Sequence, residues 1–465
     1  MTFPMPPVFR AYDIRGLAHK ELTPAFFQKV GQAFGALVIK QTPEATVCVG
    51  HDTRDSSPAF YAALIEGLAS AGCHVITLGL ATTPLVCWAE QHLSCAAALT
   101  ITGSHTDAQR NGLKISWGGR PFYGDDLQKL KHTLDTESLP ATSLSAAAKG
   151  TIQHKELHET YVKELLSAFD LPFGTHKIVW NFSHGAATCL VPFLKKLLPS
   201  QHIFLHTTPQ SFPSCSFDPT HAQAVQTLQD ALQKEQAVLG LAFDGDGDRL
   251  VVMDQTGTLL SGDEVLVFFA AFQKEQTKPV VADIKSSPLL LEAIPNGRLV
   301  HVAPTGHAHL KACMRKTGAS LGGEVSGHFF FKDRYFGFDD GFYASLRFLE
   351  PLLQQKVNLS QWRKTLPERF SSQEMRLPMT VAQQEKIIKD CRQWALCQKS
   401  DLVDMDGLRA KDSDGWWIVR SSQTEPLLVV RFEGKNLTYY NKTKQTLSEI
   451  FLKNNFKDRT FANLC

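Results

Sequence analysis

Short apolar strands alternate with helices along most of this chain, and this alternation limits the fold more than any other feature. Three successive rounds contain predicted strands at 46–50, 74–79, 97–103, 177–181, 237–243, 279–284 and 319–323, and predicted helices at 58–72, 186–198, 287–294 and 306–317. Strands that alternate with helices of this length form βαβ units with mostly parallel sheets. The strands do not alternate cleanly between apolar and polar residues, which is typical of strands covered on both faces. The sequence therefore predicts an α/β fold.

The C-terminal part of the chain follows a different pattern, which predicts an α+β end domain. A helical stretch near 380–397 precedes two apolar runs, WWIVRSS and PLLVVRFEG, that are typical of strands. The chain is about three times as long as a common single domain, so we expect several domains. We place them by pattern at 1–150, 151–255, 256–366 and 367–465, with the Ser/Ala-rich segment 142–150 as the clearest linker.

The composition excludes several functional classes. The 48 basic and 46 acidic residues leave a formal charge of +2, which gives no general attraction to nucleic acid or to an anionic membrane. No run approaches the roughly 18 apolar residues of a membrane span, and the start of the sequence lacks the basic and apolar parts of a signal peptide. The 10 cysteines include no CxxC pair, which indicates free thiols in a reducing compartment. We therefore expect a cytoplasmic protein with no nucleic-acid or membrane partner.

The segment DGDGDR is the strongest sign of chemistry. Asp244, Asp246 and Asp248 alternate with glycines that let the backbone curl, so that three carboxylates can point at one place. Such carboxylates repel one another, and a hard divalent cation with oxygen ligands relieves the repulsion. A calcium EF-hand loop is excluded, because it requires Gly and Glu where this chain has Arg249 and Gln255. We favour a Mg²⁺ site over a solvated acidic turn, since apolar strands flank the segment.

A second polar loop, TGSHTDAQRNGLK, places Ser104 at the end of a predicted strand. A serine beside a histidine is common in turns, and the G-x-S-x-G motif of hydrolases is absent because Thr106 occupies its last position. By itself, Ser104 fits a turn hydroxyl as well as a nucleophile. A phosphoryl group on Ser104 would explain a metal site at DGDGDR, which we call the metal loop, because a serine phosphate brings close to two negative charges that a divalent cation neutralises. Lys114 and His105 would then stabilise charge or move protons.

Three further segments carry polar groups suited to a phosphorylated sugar. GEVSGH offers Glu324 and Ser326 to vicinal hydroxyls and His328 for proton transfer, although an ordinary glycine-rich turn explains it equally well. RSSQTEP combines an arginine with hydroxyls and backbone N–H groups, as in a phosphate cradle or a polar turn between strands. FRAYDIRG is too polar for a core strand and could grip an anion. With the metal loop and Ser104, these segments indicate phosphoryl transfer on a phosphorylated sugar.

These motifs occur in the order and spacing of a known family, and the chain resembles the α-D-phosphohexomutases over nearly its full length. FRAYDIRG, the TGSH loop, DGDGDR, GEVSGH and RSSQTEP carry the resemblance. GEVSGH followed by FGFDDG is most similar to the phosphomannomutase/phosphoglucomutase branch, because aminosugar mutases usually have Gln at the position of Val325. The resemblance implies four domains around a central cleft: three related α/β domains with mixed, mostly parallel sheets, and a smaller C-terminal α+β domain.

The resemblance also implies a reaction, the reversible transfer of a phosphoryl group between C1 and C6 of mannose or glucose phosphate. A hexose 1,6-bisphosphate would be the intermediate and activator. We expect a monomer, with a dimer as the alternative. Ser104 would be the phosphorylated nucleophile, with Mg²⁺ held by the three aspartates and the serine phosphate. Lys114, Arg249 and His328 would serve the transfer centre. The implied substrate-binding residues are Tyr12, Arg15, Lys285, His307, Glu324, Ser326, Arg420, Ser422 and Thr424.

Two segments depart from the family pattern. The serine loop usually reads Ser-His-Asn-Pro, and here Thr106 and Asp107 replace the last two residues; a basic residue often stands where this chain has Pro304. Neither change removes a catalytic group, although Asp107 adds a negative charge to the loop. Three alternatives stay open: a phosphoglucosamine mutase, a non-catalytic phosphosugar-binding paralogue and a metal-dependent phosphatase. The presence of Ser104, the three aspartates and Arg249 disfavours the non-catalytic paralogue.

Overall fold

The computed structural model describes residues 8–135, 149–211, 216–422, 427–454 and 456. The linker predicted at 142–150 lies outside these residues, except for its last two positions. Contacts between residues divide the chain into two units, which we call unit 1 (residues 1–261 and 326–360) and unit 2 (residues 262–325 and 361–465). In the described ranges, no helix is both long enough and apolar enough to cross a membrane.

Unit 1 begins with a seven-stranded mixed sheet. Its strands are β1 (Ile14–Leu17), β2 (Thr46–His51), β3 (His74–Leu80), β4 (Ala97–Ile101), β5 (Arg110–Trp117), β6 (Arg120–Pro121) and β7 (Ile152–His154). The helices of this region are α1 (Pro24–Gln41), α2 (Ser57–Ser70), α3 (Thr83–His92), α4 (Asp125–Asp135) and α5 (His158–Ser167). The strand order is β1-β5-β4-β2-β3-β7, with the short β6 on β5. β2 is parallel to β3 and β4, whereas β5 is antiparallel to β4 and β1.

Helices α1 and α2 pack together on this sheet, and each begins with a clear signal in the sequence. Thr23 caps α1 by accepting the N–H of Phe26, and a proline occupies the first turn of each helix. Between the two helices, the rings of Phe27 and Phe60 stack with centroids 4.7 Å apart. The helix predicted at 58–72 is observed as α2, and Gly72 follows it with a positive φ of 95°.

A second sheet in unit 1 has the strand order β11-β10-β8-β9. Its strands are β8 (Ile178–Asn181), β9 (Ile203–Leu205), β10 (Leu239–Phe243) and β11 (Leu250–Asp254), and its helices are α6 (Val191–Leu197) and α7 (Ala222–Glu235). β8 is parallel to β9 and β10, and β11 returns antiparallel to β10. The helix predicted at 186–198 begins as a 3₁₀ segment, Ala186–Leu190. Pro192 causes this change, because it has no N–H for an α-helical bond to Thr188.

Unit 2 begins with α8 (Gly262–Phe272) and continues into parallel strands in the order β13-β12-β14. The strands are β12 (Val280–Asp283), β13 (Val300–Ala303) and β14 (Leu321–Gly323), and the helices are α9 (Pro288–Leu291) and α10 (His307–Thr317). The prediction of a helix over 287–294 was too long, since α9 is a single turn. Pro295 holds Ile294 in an extended conformation and so ends the helix.

These three sheets repeat one topology. In each, the first strand of the round pairs in parallel with the next two, giving β3-β2-β4, β9-β8-β10 and β13-β12-β14. In the first two sheets an antiparallel strand, β5 or β11, follows beside the third strand. The segments TGSHTD, DGDGDR and EVSGH each begin within two residues of the end of the third strand. The repeat of pattern in the sequence is thus a repeat of strand order, which confirms the prediction of three related α/β domains.

After β14, the chain forms β15 (Phe329–Phe331) and α11 (Gly341–Gln354) in unit 1, and then the short α12 (Leu359–Arg363). Helix α11 packs against β10 and β11. Asp340 caps its start by accepting the N–H of Tyr343 at 2.9 Å. The residues before this cap, including Asp339, therefore have a fixed position beside the second sheet.

The C-terminal part of unit 2 is an antiparallel sheet with two long helices. The strands are β16 (Phe370–Ser371), β17 (Met375–Pro378), β18 (Asp401–Asp404), β19 (Leu408–Lys411), β20 (Gly415–Ser421) and β21 (Leu427–Gly434). They pair in the order β16-β21-β20-β19-β18, with β17 also on β21. Helices α13 (Val381–Gln398) and α14 (Leu437–Lys453) share an apolar core with the sheet. The α+β end domain predicted from the sequence is therefore confirmed.

Candidate active site

Ser104 follows the buried strand β4 by three residues, in a conformation that few non-glycine residues adopt. Its φ is +53°, in the left-handed region, and only 2% of the residue is exposed. Its N–H donates to Thr102 Oγ1 at 2.8 Å, and its Oγ donates to Asp244 Oδ2 at 3.3 Å. The serine hydroxyl predicted as the nucleophile therefore faces the predicted metal loop.

The three aspartates of that loop lie in the turn between β10 and β11, and all are buried. Asp244, Asp246 and Asp248 each offer a carboxylate oxygen, and these three oxygens lie within 4.8 Å of one another. Burial raises the pKa of Asp244 well above its usual value, and the charges of Asp248 and Asp246 raise it further. The structure thus brings together the three carboxylates that the sequence predicted as metal ligands.

The backbone of the metal loop requires glycine at positions 245 and 247. A Cβ atom at Gly245 would lie 2.4 Å from the carbonyl oxygen of Ser104. Gly247 has a φ of +75°, which a residue with a side chain rarely adopts. The alternation of Asp and Gly therefore serves two purposes, since it aims the carboxylates and lets the serine loop approach the metal loop.

Lys114 neutralises part of this acidic cluster from strand β5. Its Nζ donates to Asp246 Oδ2 at 2.7 Å and also to Asp248 Oδ2. Burial alone would lower the pKa of Lys114, but the nearby aspartates outweigh it and hold the pKa above its usual range. The sequence placed Lys114 in a loop, and this was wrong: Lys114 pairs with Thr100 of β4 in an antiparallel ladder.

His328 joins the cluster through two side chains. Its Nδ1 lies 2.9 Å from Asp339 Oδ2, and Arg249 Nε donates to its Nε2 at 3.0 Å. Arg249 Nε also lies 3.6 Å from Asp244 Oδ2. The sequence predicted Arg249 and His328 for this centre but assigned no role to Asp339. The signal that could have identified Asp339 is the FGFDDG segment, which was used only to compare the chain with the branches of the family.

The donor set suits a divalent cation. Four buried carboxylates, those of Asp339 and the three loop aspartates, lie near two permanently cationic side chains, Lys114 and Arg249. Among the described residues, Asp246 Oδ1 and Asp248 Oδ1 accept no hydrogen bond although both are buried. An unpaired buried carboxylate oxygen is costly, and Mg²⁺ prefers such oxygens as ligands. The residues present therefore fit Mg²⁺.

Asp52 and Arg54 were not predicted from the sequence, and both bind the backbone of the loop that carries Ser104. Both are buried directly after β2, and Arg54 Nη2 donates to the carbonyl oxygen of Ser104 at 2.8 Å. The sequence did contain a signal for these two residues, because polar residues at the carboxyl end of a parallel strand are candidates for an active site. The segment HDTR has that position at the end of β2, beside β4.

Arg15 lies in unit 1 on the edge strand β1. The segment FRAYDIRG is thus no core strand, as its polarity predicted, and Asp13 Oδ2 accepts from Arg15 Nη2 at 2.5 Å and offsets its charge. Burial would lower the pKa of Arg15, but Asp13, Tyr12 and Asp246 together raise it. Arg15 is therefore within electrostatic reach of the metal loop, and Tyr12 beside it is half-buried.

The predicted sugar-binding loop divides between the two units. Glu324 is buried directly after β14 in unit 2, whereas Ser326 and His328 belong to unit 1. Within unit 2, Lys285 Nζ donates to Glu374 Oε2 at 2.8 Å, and His307 is the first residue of α10. Lys285 and His307 are thus placed at the ends of β12 and β13, as ligand-binding residues of parallel sheets usually are.

The predicted phosphate cradle lies on β20 and the segment after it. Arg420 is buried, and its Nη2 donates to Asp406 Oδ1 at 3.1 Å. The backbone N–H of Ser422 donates to the carbonyl oxygen of Leu427 at 2.9 Å. Thr424 lies outside the described residues. Arg420 therefore already holds a carboxylate, the kind of anion that its guanidinium binds well.

Four family models match the chain in succession. They are described as phosphoglucomutase/phosphomannomutase alpha/beta/alpha domain I (residues 6–141), domain II (159–257) and domain III (261–370), and phosphoglucomutase/phosphomannomutase C-terminal domain (373–445). Each of the three alpha/beta/alpha domain models covers one of the three sets of parallel strands that share a strand order, β3-β2-β4, β9-β8-β10 and β13-β12-β14.

Individual relatives agree with the family models. A phosphomannomutase/phosphoglucomutase of Pseudomonas syringae pv. tomato is 35% identical and covers 92% of this chain and 91% of its own length. A phosphoglucomutase of Neisseria gonorrhoeae is 32% identical, with 92% of each chain covered. Among solved structures, a phosphoglucomutase/phosphomannomutase family protein of Burkholderia thailandensis has a TM-score of 0.85 and 30% identity, and the match covers 96% of this chain and 97% of that one.

Proposed function

The chain belongs to the phosphoglucomutase/phosphomannomutase family of α-D-phosphohexomutases, and from that membership we propose how its residues carry out the family's reaction. It is a hexose phosphate mutase, an isomerase that transfers a phosphoryl group between C1 and C6 of a hexose phosphate. Phosphoglucosamine mutase is the less favoured alternative, because the relatives described above are named for mannose and glucose phosphates.

Ser104 is the proposed nucleophile and carrier of the phosphoryl group. The observation that carries this proposal is the 3.3 Å contact between Ser104 Oγ and Asp244, at the edge of three buried carboxylates. In the first half of the cycle, the Oγ–P bond of phosphoserine breaks and a P–O bond to a sugar hydroxyl forms, giving a hexose 1,6-bisphosphate. In the second half, the phosphoryl group at the other carbon passes to Oγ, and the released sugar oxygen regains a proton.

The three aspartates are the proposed ligands of Mg²⁺, together with a phosphate oxygen on Ser104. The buried oxygens Asp246 Oδ1 and Asp248 Oδ1 support this proposal, because no described residue donates a hydrogen bond to either. When bound, the cation neutralises the negative charge that develops on the phosphoryl oxygens. Lys114 adds a fixed positive charge to the same centre through its contacts with Asp246 and Asp248.

His328 is the proposed proton carrier for the sugar hydroxyl. Asp339 lies 2.9 Å from its Nδ1 and so favours a proton on that nitrogen, which leaves Nε2 as the basic atom. Arg249 Nε donates to Nε2 in this structure and holds the ring in place. For Nε2 to take up the proton of the sugar hydroxyl, this hydroxyl must replace Arg249 Nε as the hydrogen-bond donor to Nε2. Arg249 would stabilise the negative charge of the phosphoryl group.

The remaining predicted residues are proposed to bind the sugar phosphate. Arg420, Ser422 and Thr424 would hold the phosphate that is not reacting, since a guanidinium and hydroxyls form a fixed cradle for either end of the substrate. Glu324 and Ser326 would bind sugar hydroxyls. Further substrate contacts are proposed for Tyr12, Arg15, Lys285 and His307. We also propose a cytoplasmic location, from the cysteine pattern of the sequence, and a monomer or a dimer as the active form.

The test follows phosphorus NMR signals of the protein with Mg²⁺ and a trace of glucose 1,6-bisphosphate. Mannose 1-phosphate, glucose 1-phosphate and glucosamine 1-phosphate are supplied separately. We expect conversion of the mannose and glucose esters to 6-phosphates, and no conversion by Ser104→Ala. Conversion of glucosamine 1-phosphate alone would support the alternative specificity. Release of inorganic phosphate without isomerisation would instead indicate a phosphatase, and no reaction by folded wild-type protein would contradict the proposal.

A further inference from the structure

Arg54 occupies a position in which every donor of its side chain has an acceptor. Its side chain is buried, with 1% of the residue exposed, and the guanidinium lies over the ring of Phe217 at 5.0 Å. A guanidinium has five N–H donors in a rigid plane. The first of them, on Nε, donates to Asp52 Oδ2 at 3.0 Å. This ion pair anchors the side chain to the end of β2.

The other four donors bind the backbone of residues 103–110, which we call the serine loop. Nη2 donates to the carbonyl oxygens of Ser104 and Thr106, each at 2.8 Å. Nη1 donates to the carbonyl oxygen of Asp107 and, at 2.7 Å, to that of Arg110. One side chain therefore joins three carbonyl groups of the irregular segment 103–109 and that of Arg110, the first residue of β5.

Asp52 and Gly103 complete this support. The carboxylate of Asp52 accepts the N–H of Gly103 at 3.1 Å and the hydroxyl of Ser57 at 2.5 Å, in addition to the Arg54 bond. A Cβ atom at position 103 would lie 2.5 Å from Arg54 Cζ. Gly103 must therefore be a glycine for the guanidinium to reach the loop.

We propose that Arg54 is a positioning residue that holds Ser104 ready for phosphoryl transfer, an inference that rests on the proposed role of Ser104 as the nucleophile. The left-handed φ of Ser104 turns its Oγ toward Asp244, and Arg54 binds the carbonyl oxygen of the same residue. Rotation of this peptide group would break the bond to Nη2. A lysine cannot replace the arginine, because its single nitrogen cannot reach four separate carbonyl groups.

The test compares Arg54→Lys with Arg347→Lys as a matched control. Arg347 is also buried in unit 1 and pairs with Asp333 at 2.8 Å, but it contacts no residue of the serine loop in the described structure. Transfer from glucose 1,6-bisphosphate to Ser104 is followed by intact mass, and the affinity for glucose 6-phosphate by calorimetry. We expect Arg54→Lys to slow transfer about 100-fold with unchanged affinity, because misplacement by about 1 Å costs this much. Arg347→Lys is expected to transfer at the wild-type rate.

A second variant tests whether the guanidinium itself is responsible. Arg54→Ala leaves a cavity, and added guanidinium chloride at low millimolar concentration is expected to restore transfer at least partly, whereas ammonium chloride is not. A wild-type rate in folded Arg54→Lys would overturn the inference. If Arg54→Lys does not fold, Asp52→Asn replaces it: slower transfer supports the inference, and a wild-type rate overturns it. Absence of phosphoryl uptake by the wild-type protein would contradict the proposed function itself, which distinguishes the two failures.

Discussion

Each unit contains a buried cluster of charged side chains, and the two clusters differ in how completely their charges are paired. The cluster of unit 1 consists of Lys114, Asp244, Asp246, Asp248, Arg249, His328 and Asp339, and the cluster of unit 2 consists of Asp263, Arg431 and Glu433. Both lie away from solvent, where an unpaired charge is expensive. Their difference therefore separates a cluster that serves the fold from one for which we propose a ligand.

The cluster of unit 2 is complete. Arg431 donates to Asp263 Oδ2 at 2.9 Å and to Glu433 Oε1 at 2.8 Å, and Glu433 also accepts from Trp416 Nε1 at 2.7 Å. Burial would lower the pKa of Arg431, but the two carboxylates outweigh it and raise the pKa well above its usual value. Every carboxylate oxygen of Asp263 and Glu433 accepts a hydrogen bond, which is expected of a structural cluster.

The cluster of unit 1 is incomplete. It has more carboxylates than cations, and Asp246 Oδ1 and Asp248 Oδ1 accept no hydrogen bond from the described residues. The raised pKa of Asp244 expresses the same excess of negative charge. Stability alone does not explain such an arrangement, and it fits the proposed binding of a cation and a phosphoryl group.

The largest expected effect is that of Asp244→Asn on activity. We expect kcat to fall on the order of 1,000-fold, because the substitution removes one oxygen ligand and part of the charge that holds the cation. The same substitution should raise the stability of the metal-free protein, since it removes a charge that burial and two aspartates disfavour. Mutase assays and urea unfolding in EDTA measure the two effects. A loss of both activity and metal-free stability would contradict the view that this cluster is built for a ligand.

The substitution Arg431→Met tests the opposite expectation in unit 2. The substitution removes the cation that pairs with buried Asp263 and Glu433, although Arg369 Nε still lies 3.9 Å from Glu433 Oε1. We expect the free energy of unfolding to fall by about 3–5 kcal/mol. Arg392→Met is the control, because Arg392 pairs with Asp404 at the surface and exposed pairs contribute only about 0–1 kcal/mol. Equal losses in the two variants would show that the buried cluster has no special structural role.

Asp340 sharpens the comparison, because its hydrogen bonds come from neutral groups. The hydroxyls of Tyr161 and Tyr335 donate to Oδ2 at 2.8 and 2.6 Å, and the N–H of Tyr343 donates to Oδ1. Burial raises the pKa of Asp340 to about 6 in spite of these bonds. Cations compensate a carboxylate more strongly than neutral donors do, since Lys285 and Arg376 together hold the pKa of Glu374 below its usual value in spite of desolvation.

The raised pKa of Asp340 predicts a pH dependence with a definite sign. The folded protein binds the proton more tightly than the unfolded chain, so this contribution to stability is fully present below about pH 4 and is lost as the pH rises through about 6. Relative to Asp340→Asn, the wild-type protein should gain roughly 2–3 kcal/mol between pH 7 and pH 4. Urea unfolding of both proteins across this range measures the difference, and a constant difference would contradict the assignment.

Mg²⁺ should stabilise the protein through the cluster of unit 1 alone, and this is the smallest of the expected effects. At ten times the dissociation constant, a ligand of the folded state adds about 1.4 kcal/mol to the free energy of unfolding. Arg431→Met should keep this increment, and Asp244→Asn should lose most of it. Thermal unfolding with Mg²⁺ or EDTA measures the increment. The same increment in all three proteins would place the cation elsewhere.

Much of the fold was predictable because its signals are local. The strand–helix rounds and the α+β end domain follow from apolar runs of fixed length, and the family resemblance carried the arrangement of three related domains. The errors lie where one segment depends on another. Lys114 was placed in a loop, and no strand was predicted for FRAYDIRG. The strands β5 and β1 exist through pairing with β4 and with each other and not through an apolar pattern of their own.

The sequence by itself determined the metal loop, because Asp244, Asp246 and Asp248 alternate with glycines in one short turn and need no distant partner to lie together. Only the tertiary structure decided which residues complete the centre. Arg54 reaches Ser104 across 50 residues, and Asp339 meets His328 through the return of the chain before α11. Such contacts depend on strand order and on the directions of buried side chains, and these are set by packing over the whole unit and not by spacing along the chain.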